Sequence, residues 1–148
     1  MQAIIFMGMQ ATGKSTFYKE NFFQTHARIN LDMLKTRNRE QVWLASCFST
    51  RQRFVVDNTN PTKADRERYL APAKAAKFEV IGYYFESKIK DAIARNAQRS
   101  GKAKIPERGL LACYGKLEKP SFAEGFDKLY LVRIVDNEFQ INEWKDEV

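Results

Sequence analysis

Eight consecutive residues, Gly8-Met9-Gln10-Ala11-Thr12-Gly13-Lys14-Ser15, constrain this chain most, because they satisfy GxxxxGK[ST] at every fixed position. Before them runs the apolar stretch Ala3-Ile4-Ile5-Phe6-Met7, which reads as a strand buried on both faces of a parallel sheet. After them, Lys14 to Phe23 reads as a helix. A glycine-rich turn in that setting curls the backbone so that its N–H groups converge, and the helix N-terminus adds its positive dipole end. The result is a seat for phosphate. Lys14 is placed to reach the terminal phosphates of a nucleotide and the Ser15 hydroxyl to ligate Mg²⁺, with Thr16 completing the nucleotide-binding run.

The rest of the chain alternates. Arg28 to Leu31 and Phe54-Val55-Val56 read as short strands. Between them, Asn38 to Thr50 carries Val42, Leu44, Ala45 and Phe48 at roughly helical spacing. Thr62 to Ala76 opens on an N-cap residue and contains Pro72, a site for a kink. Phe78 to Phe85 is a strand, Glu86 to Arg99 a helix, and Ser100 to Pro106 a basic loop that includes Lys102 and Lys104. Glu107 to Leu117 is a further helix, and Lys128 to Val135 and Glu138 to Trp144 form two strands about the turn Asp136-Asn137. The pattern predicts one α/β domain over residues 1–148, with a mostly parallel sheet and helices on both faces. Trp43, Trp144 and the run Tyr83-Tyr84-Phe85 are read as packing residues.

In such a sheet the chemistry belongs beyond the carboxyl ends of the strands, after Met7, Leu31 and Val56. Asp57 stands there as a carboxylate near the metal, or as a turn former ahead of Pro61. Asp32 stands there as a general base for an attacking hydroxyl, or as the N-cap of the following helix. Arg95 and Arg99, four apart, project from one helix face, either over the cleft or into solvent with Asp91 paired to Arg95.

Read together, five segments resemble the kinase domain of the polynucleotide 5′-kinase family: GMQATGKS at 8–15, INLD at 29–32, VVDNTNP at 55–61, ARNAQRSGKAKIP at 94–106 and KPSFAEGF at 119–126. They span nearly the whole chain in the family's order. The resemblance implies a doubly wound P-loop kinase fold, ATP and Mg²⁺ as cofactors, Asp32 as general base, Arg99 as a lid residue on the donor phosphates and Arg95 in support. It also implies an acceptor site at Asp32, Lys35 and Arg37. Some phage members carry an arginine where Lys35 stands here, and lysine offers a point charge instead of a bidentate fork. The DxDxT motif of the family's phosphatase domain is absent, as is any ligase segment.

The formal net charge of +7 suits a polyanionic partner without naming one. Cys47 and Cys113 stand far apart outside any metal-binding spacing and are expected to be free buried thiols. The apolar start is too short to span a membrane, so a cytoplasmic location is expected. The leading expectation is transfer of the ATP γ-phosphate to the 5′-OH end of a nucleic acid. The alternative acceptor is a small-molecule hydroxyl on a nucleoside, sugar or antibiotic. A non-catalytic nucleotide switch has no use for Asp32, Asp57 and two lid arginines together.

Overall fold

The computed structural model of the chain describes residues 1–101 and 105–146, so Lys102, Ala103 and Lys104 of the basic loop lie outside the described residues. Its frame is one six-stranded sheet in the order β2-β3-β1-β4-β5-β6. The strands are β1 Gln2–Met7, β2 Ala27–Ile29, β3 Phe54–Val56, β4 Glu79–Phe85, β5 Lys128–Val135 and β6 Glu138–Glu143. All pairings are parallel except that of β6, which returns antiparallel to β5.

β1 lies between β3 and β4 and divides its side chains between two cores. Ala3, Ile5 and Met7 pack on one face with Phe54, Val56 and Tyr69, Leu70 and Ala73 of α4 (Lys63–Ala75). Ile4 and Phe6 pack on the other with Val55 and with Phe17 and Tyr18 of α1 (Lys14–Asn21). Alternation along the strand thus buries both faces of a continuous apolar run. The helices following β1 and β3 consequently cover opposite faces, which opens a crevice between these two adjacent strands at their carboxyl ends.

The other helices are α2 (Leu31–Leu34), α3 (Arg37–Thr50), α5 (Ile89–Ala97) and α6 (Glu107–Lys116). Several expectations need correction. The strand expected from Arg28 stops at Ile29, and Leu31 opens α2, a short helix the periodicity does not reveal. On α3 the buried face is Glu40, Leu44 and Cys47, whereas Val42 and Trp43 are exposed. Helix α5 ends at Ala97, so Arg99 lies past it and does not share a helix face with Arg95. Helix α4 runs on through Pro72, and its start is fixed by a capping box between Thr62 and Asp65. Cys47 and Cys113 are free and buried, Trp144 packs on Tyr84, and Tyr83 stacks on Tyr130. Among the described residues no helix is long and apolar enough to cross a membrane.

Arg66 joins the segment at 119–126 to the cleft. Its side chain is wholly buried, forms a two-pronged pair with Glu124 at 2.8 and 3.1 Å, and donates to the carbonyls of Asn60 and Glu118 at 3.1 Å. Removing one member of such a pair strands a buried charge. Arg66→Met is therefore expected to lower stability by about 3–5 kcal/mol in urea unfolding, with Glu124→Met added in the same chain recovering part of the loss. A single-variant loss below about 1 kcal/mol contradicts this role.

Candidate active site

The residues that leave β1, β2 and β3 at their carboxyl ends enclose a cleft of about 900 Å³, room for a nucleotide and part of a second substrate. Its first wall is the loop Gly8–Ser15. Gly8 turns the chain with φ 142°, and a Cβ there would stand 2.8 Å from the Phe85 carbonyl oxygen, so glycine alone fits. The Gly8 N–H donates to the Thr59 carbonyl at 2.9 Å and the Met9 N–H to Ser87 Oγ at 3.0 Å, pinning the loop to the chain segments after β3 and β4. The Met9 side chain is an anchor, buried with Ala92 of α5 and Leu110 of α6. Thr12 Oγ1 donates to the Met9 carbonyl at 2.8 Å. Gly13, the N-cap of α1, sits at φ 92° in the left-handed region, and a Cβ there would press on the ring of Phe139 at 3.0 Å. Gln10 and Ala11 face the cleft, and Thr16 is exposed outside its lining.

Lys14 is buried with its ammonium folded back onto the loop. It donates to the Gly8 carbonyl at 3.0 Å, to the Met9 carbonyl and to Thr12 Oγ1 at 3.4 Å. Burial lowers its pKa to about 8, and the Asp57 charge acts against that shift.

Asp57 is 2% exposed at the end of β3. Its Oδ2 accepts from Ser15 Oγ at 3.0 Å and from Arg28 Nε at 2.9 Å. Arg28 Nη2 also donates to Ser15 Oγ at 3.0 Å. The hydroxyl and carboxylate are hard oxygen donors of the kind Mg²⁺ accepts, and a site with two protein oxygens suits an ion that takes its remaining ligands from phosphate and water. Among the described residues no group of three His, Cys, Asp or Glu side chains is arranged to hold a metal by itself. Sequence reasoning missed Arg28. The available signal was a charged residue in a short apolar strand, alternating with buried Ile29.

Asp32 sits exposed on the first turn of α2 and lines the same cleft. The cap of that helix is Asn30, whose Oδ1 accepts from the Met33 N–H at 2.9 Å, so the capping alternative for Asp32 is wrong. Asn30 Nδ2 also donates to the Asp57 carbonyl at 2.6 Å, and Asn58 Oδ1 accepts from the Leu31 N–H at 2.9 Å. Two asparagines therefore clamp the turn that carries Asp32 to the end of β3. Lys35 closes α2 at φ 76°, and Lys35 and Arg37 line the cleft with Asp32. Arg99 lines it too. Arg95 is half-buried outside the lining and makes no ion pair with Asp91 among the described residues.

No protein-family model matches the sequence. Over 129 residues the chain is 24% identical to a bifunctional polynucleotide phosphatase/kinase from Schizosaccharomyces pombe. The match covers 84% of this chain and 32% of the relative, so the chain spans about a third of that protein's length. Two solved structures superpose over most of their lengths. One is a gluconokinase from Sinorhizobium meliloti 1021, with TM-score 0.63 and 18% identity over 91% of this chain and 83% of that one. The other is Kti12 from Chaetomium thermophilum in complex with ADP-AlF3, with TM-score 0.65 and 16% identity over 92% and 91%. The fold is that of the P-loop kinases.

In this P-loop kinase fold a phosphate entering the loop replaces carbonyl partners of Lys14 with anionic ones, which favours the ammonium. Nucleoside triphosphate binding is therefore expected to take up a proton, little below about pH 7 and close to one near pH 9, because the free protein releases it at about pH 8. Calorimetry in buffers of different ionisation enthalpy reads this directly, with Lys14→Arg as the control that abolishes it. Uptake that is flat with pH contradicts the assignment.

Proposed function

We propose that the chain is a kinase that transfers the γ-phosphate of ATP to a hydroxyl, and that this hydroxyl is the 5′-OH end of a nucleic acid. The observation that carries the reading is the convergence on one cleft of Lys14 and Ser15 from the phosphate loop, Asp57 from the end of β3, and Asp32, Lys35 and Arg37 from α2 and the residues after it. The triphosphate occupies the loop, with Lys14 on the β- and γ-phosphates and Ser15 and Asp57 as holders of Mg²⁺, which neutralises phosphate charge when bound. The Asp32 carboxylate accepts the proton of the acceptor hydroxyl as its oxygen bonds to the γ-phosphorus and the bond to the ADP oxygen breaks. Arg99, which lines the same cleft, would stabilise the transferring group, where a cation matters most as charge redistributes.

Three observations support the nucleic-acid acceptor: the match to a polynucleotide phosphatase/kinase, two cations beside Asp32, and a net charge of +7. The gluconokinase of the same fold supports a second reading, a small-molecule hydroxyl. Initial rates on a 5′-OH oligonucleotide, a nucleoside and gluconate separate the two. The proposal predicts the highest kcat/KM on the oligonucleotide. It also predicts acceptor binding that weakens several-fold or more between roughly 50 and 200 mM salt, since each phosphate contact releases a counterion. Higher kcat/KM on gluconate or on the nucleoside, with little dependence on salt, overturns the nucleic-acid reading and leaves the kinase chemistry in place.

A further inference from the structure

Asp57 is buried, and the residue that matches its charge at contact distance comes from the neighbouring strand. Parallel pairing sets Arg28 of β2 opposite Val55, two residues before Asp57. Both prongs of the guanidinium fall on one carboxylate oxygen, Nε and Nη2 each 2.9 Å from Oδ2, and the same oxygen accepts from the Ser15 hydroxyl. Nη2 also donates to Ser15 Oγ at 3.0 Å. A hydroxyl has one proton and two lone pairs, so Ser15, with its proton on Asp57 and one pair on Arg28, keeps a single pair for any other partner. The guanidinium lies over the Tyr18 ring as well, and the Tyr18 hydroxyl is tied to the His26 carbonyl at 2.6 Å.

The two oxygens that suit a divalent cation are therefore engaged by a monovalent one. Lys14 adds a second positive charge within the field of Asp57. One carboxylate thus answers to two cations, and among the described residues no group of three His, Cys, Asp or Glu side chains offsets them. Repulsion between a divalent and a monovalent cation a few ångströms apart is worth roughly tenfold in affinity even at the dielectric constant of water. Phosphate reverses the balance, because its oxygens bring both negative charge and ligands.

We infer that Arg28 is a resident counter-ion that makes the metal position of this cleft depend on the nucleotide: Ser15 and Asp57 take up a divalent cation together with phosphate oxygens and not before them. The inference rests on the proposed reading of Ser15 and Asp57 as holders of Mg²⁺. Arg28 is a positioning residue, acting on the cation through Asp57 and Ser15.

The test is Mn²⁺ binding by the full chain, read from the electron paramagnetic resonance signal of the free ion and from the unfolding temperature as Mn²⁺ is added. Without nucleotide, Arg28→Met is expected to bind Mn²⁺ at least about tenfold more tightly than the wild type, and its unfolding temperature to rise with Mn²⁺ where that of the wild type does not. Arg28→Lys, which keeps the charge, is expected to stay within about threefold of the wild type. Asp57→Asn added to Arg28→Met is expected to abolish the gained site. Arg28→Gln removes the charge but keeps an N–H for Asp57, and serves if Arg28→Met does not fold. Equal Mn²⁺ affinity in the wild type and the uncharged variants, weaker binding in those variants, or binding by Arg28→Lys as tight as by Arg28→Met overturns the inference while the kinase reading stands. Calorimetry with Mn²⁺ and ATP together separates the two: a wild-type chain that takes up no nucleotide overturns both.

Discussion

Asp57, Asn58, Thr59 and Asn60 leave the sheet between β2 and β1 and hydrogen-bond to the phosphate loop, to the turn that bears Asp32 and to α4. Asn60 Nδ2 donates to the Phe6 carbonyl at 2.8 Å and the Thr59 carbonyl accepts from Gly8 N–H, which fixes where the phosphate loop leaves β1. Asp57 and Asn58 hold α2 through Asn30 and Leu31. Arg66 holds the far end of the segment at the Asn60 carbonyl. Because Asn60 is buried at φ 43°, in the left-handed region that asparagine tolerates better than most residues, the loop has one well-determined path. The phosphate loop after β1 and the Asp32 turn after β2 therefore share a single foundation, the end of β3, which pairs in parallel with both strands.

The cleft's cations lean on the protein's own oxygen atoms. Lys14 spends its donors on loop carbonyls, and Arg28 bridges Asp57 and Ser15 while its guanidinium lies 5.9 Å from the Tyr18 ring centroid. These contacts satisfy both cations with protein oxygens, and each is exchangeable for a phosphate oxygen. Arg37 differs, since its bond to buried Glu40 orients it and leaves its outer edge to the cleft. Positive charge in the cleft is thus held in two ways, on exchangeable oxygens at the phosphate loop and on a buried carboxylate at Arg37.

Much of this was legible in the chain because it is local. The strand, glycine turn and helix at 2–21 follow from a buried apolar run and a fixed motif, and Phe54–Val56 follows from the same logic. The placement of Asp32, Asp57 and Arg99 in one cleft was legible from position at strand ends and from the family resemblance. What escaped is what only tertiary packing decides. Arg28 meets Asp57 because parallel pairing brings β2 beside β3, and Glu40 is buried because α4 delivers Tyr69 above it. Periodicity assigned Val42 to the core of α3, yet the buried stripe is Glu40, Leu44 and Cys47. A charged residue with three partners occupies a place that an apolar template gives to a hydrophobe.

The proposed reaction delivers phosphate from a nucleotide held at Lys14 to an oxygen activated at Asp32. Asn30, not Asp32, caps α2, so Asp32→Asn removes the base without removing a structural bond. The most direct measurement is single-turnover transfer from ATP to a 5′-OH oligonucleotide by Asp32→Asn, beside its ATP Kd and unfolding midpoint. A transfer rate lower by about two orders of magnitude or more is expected, with ATP affinity and stability close to wild type. Transfer at the wild-type rate would contradict it.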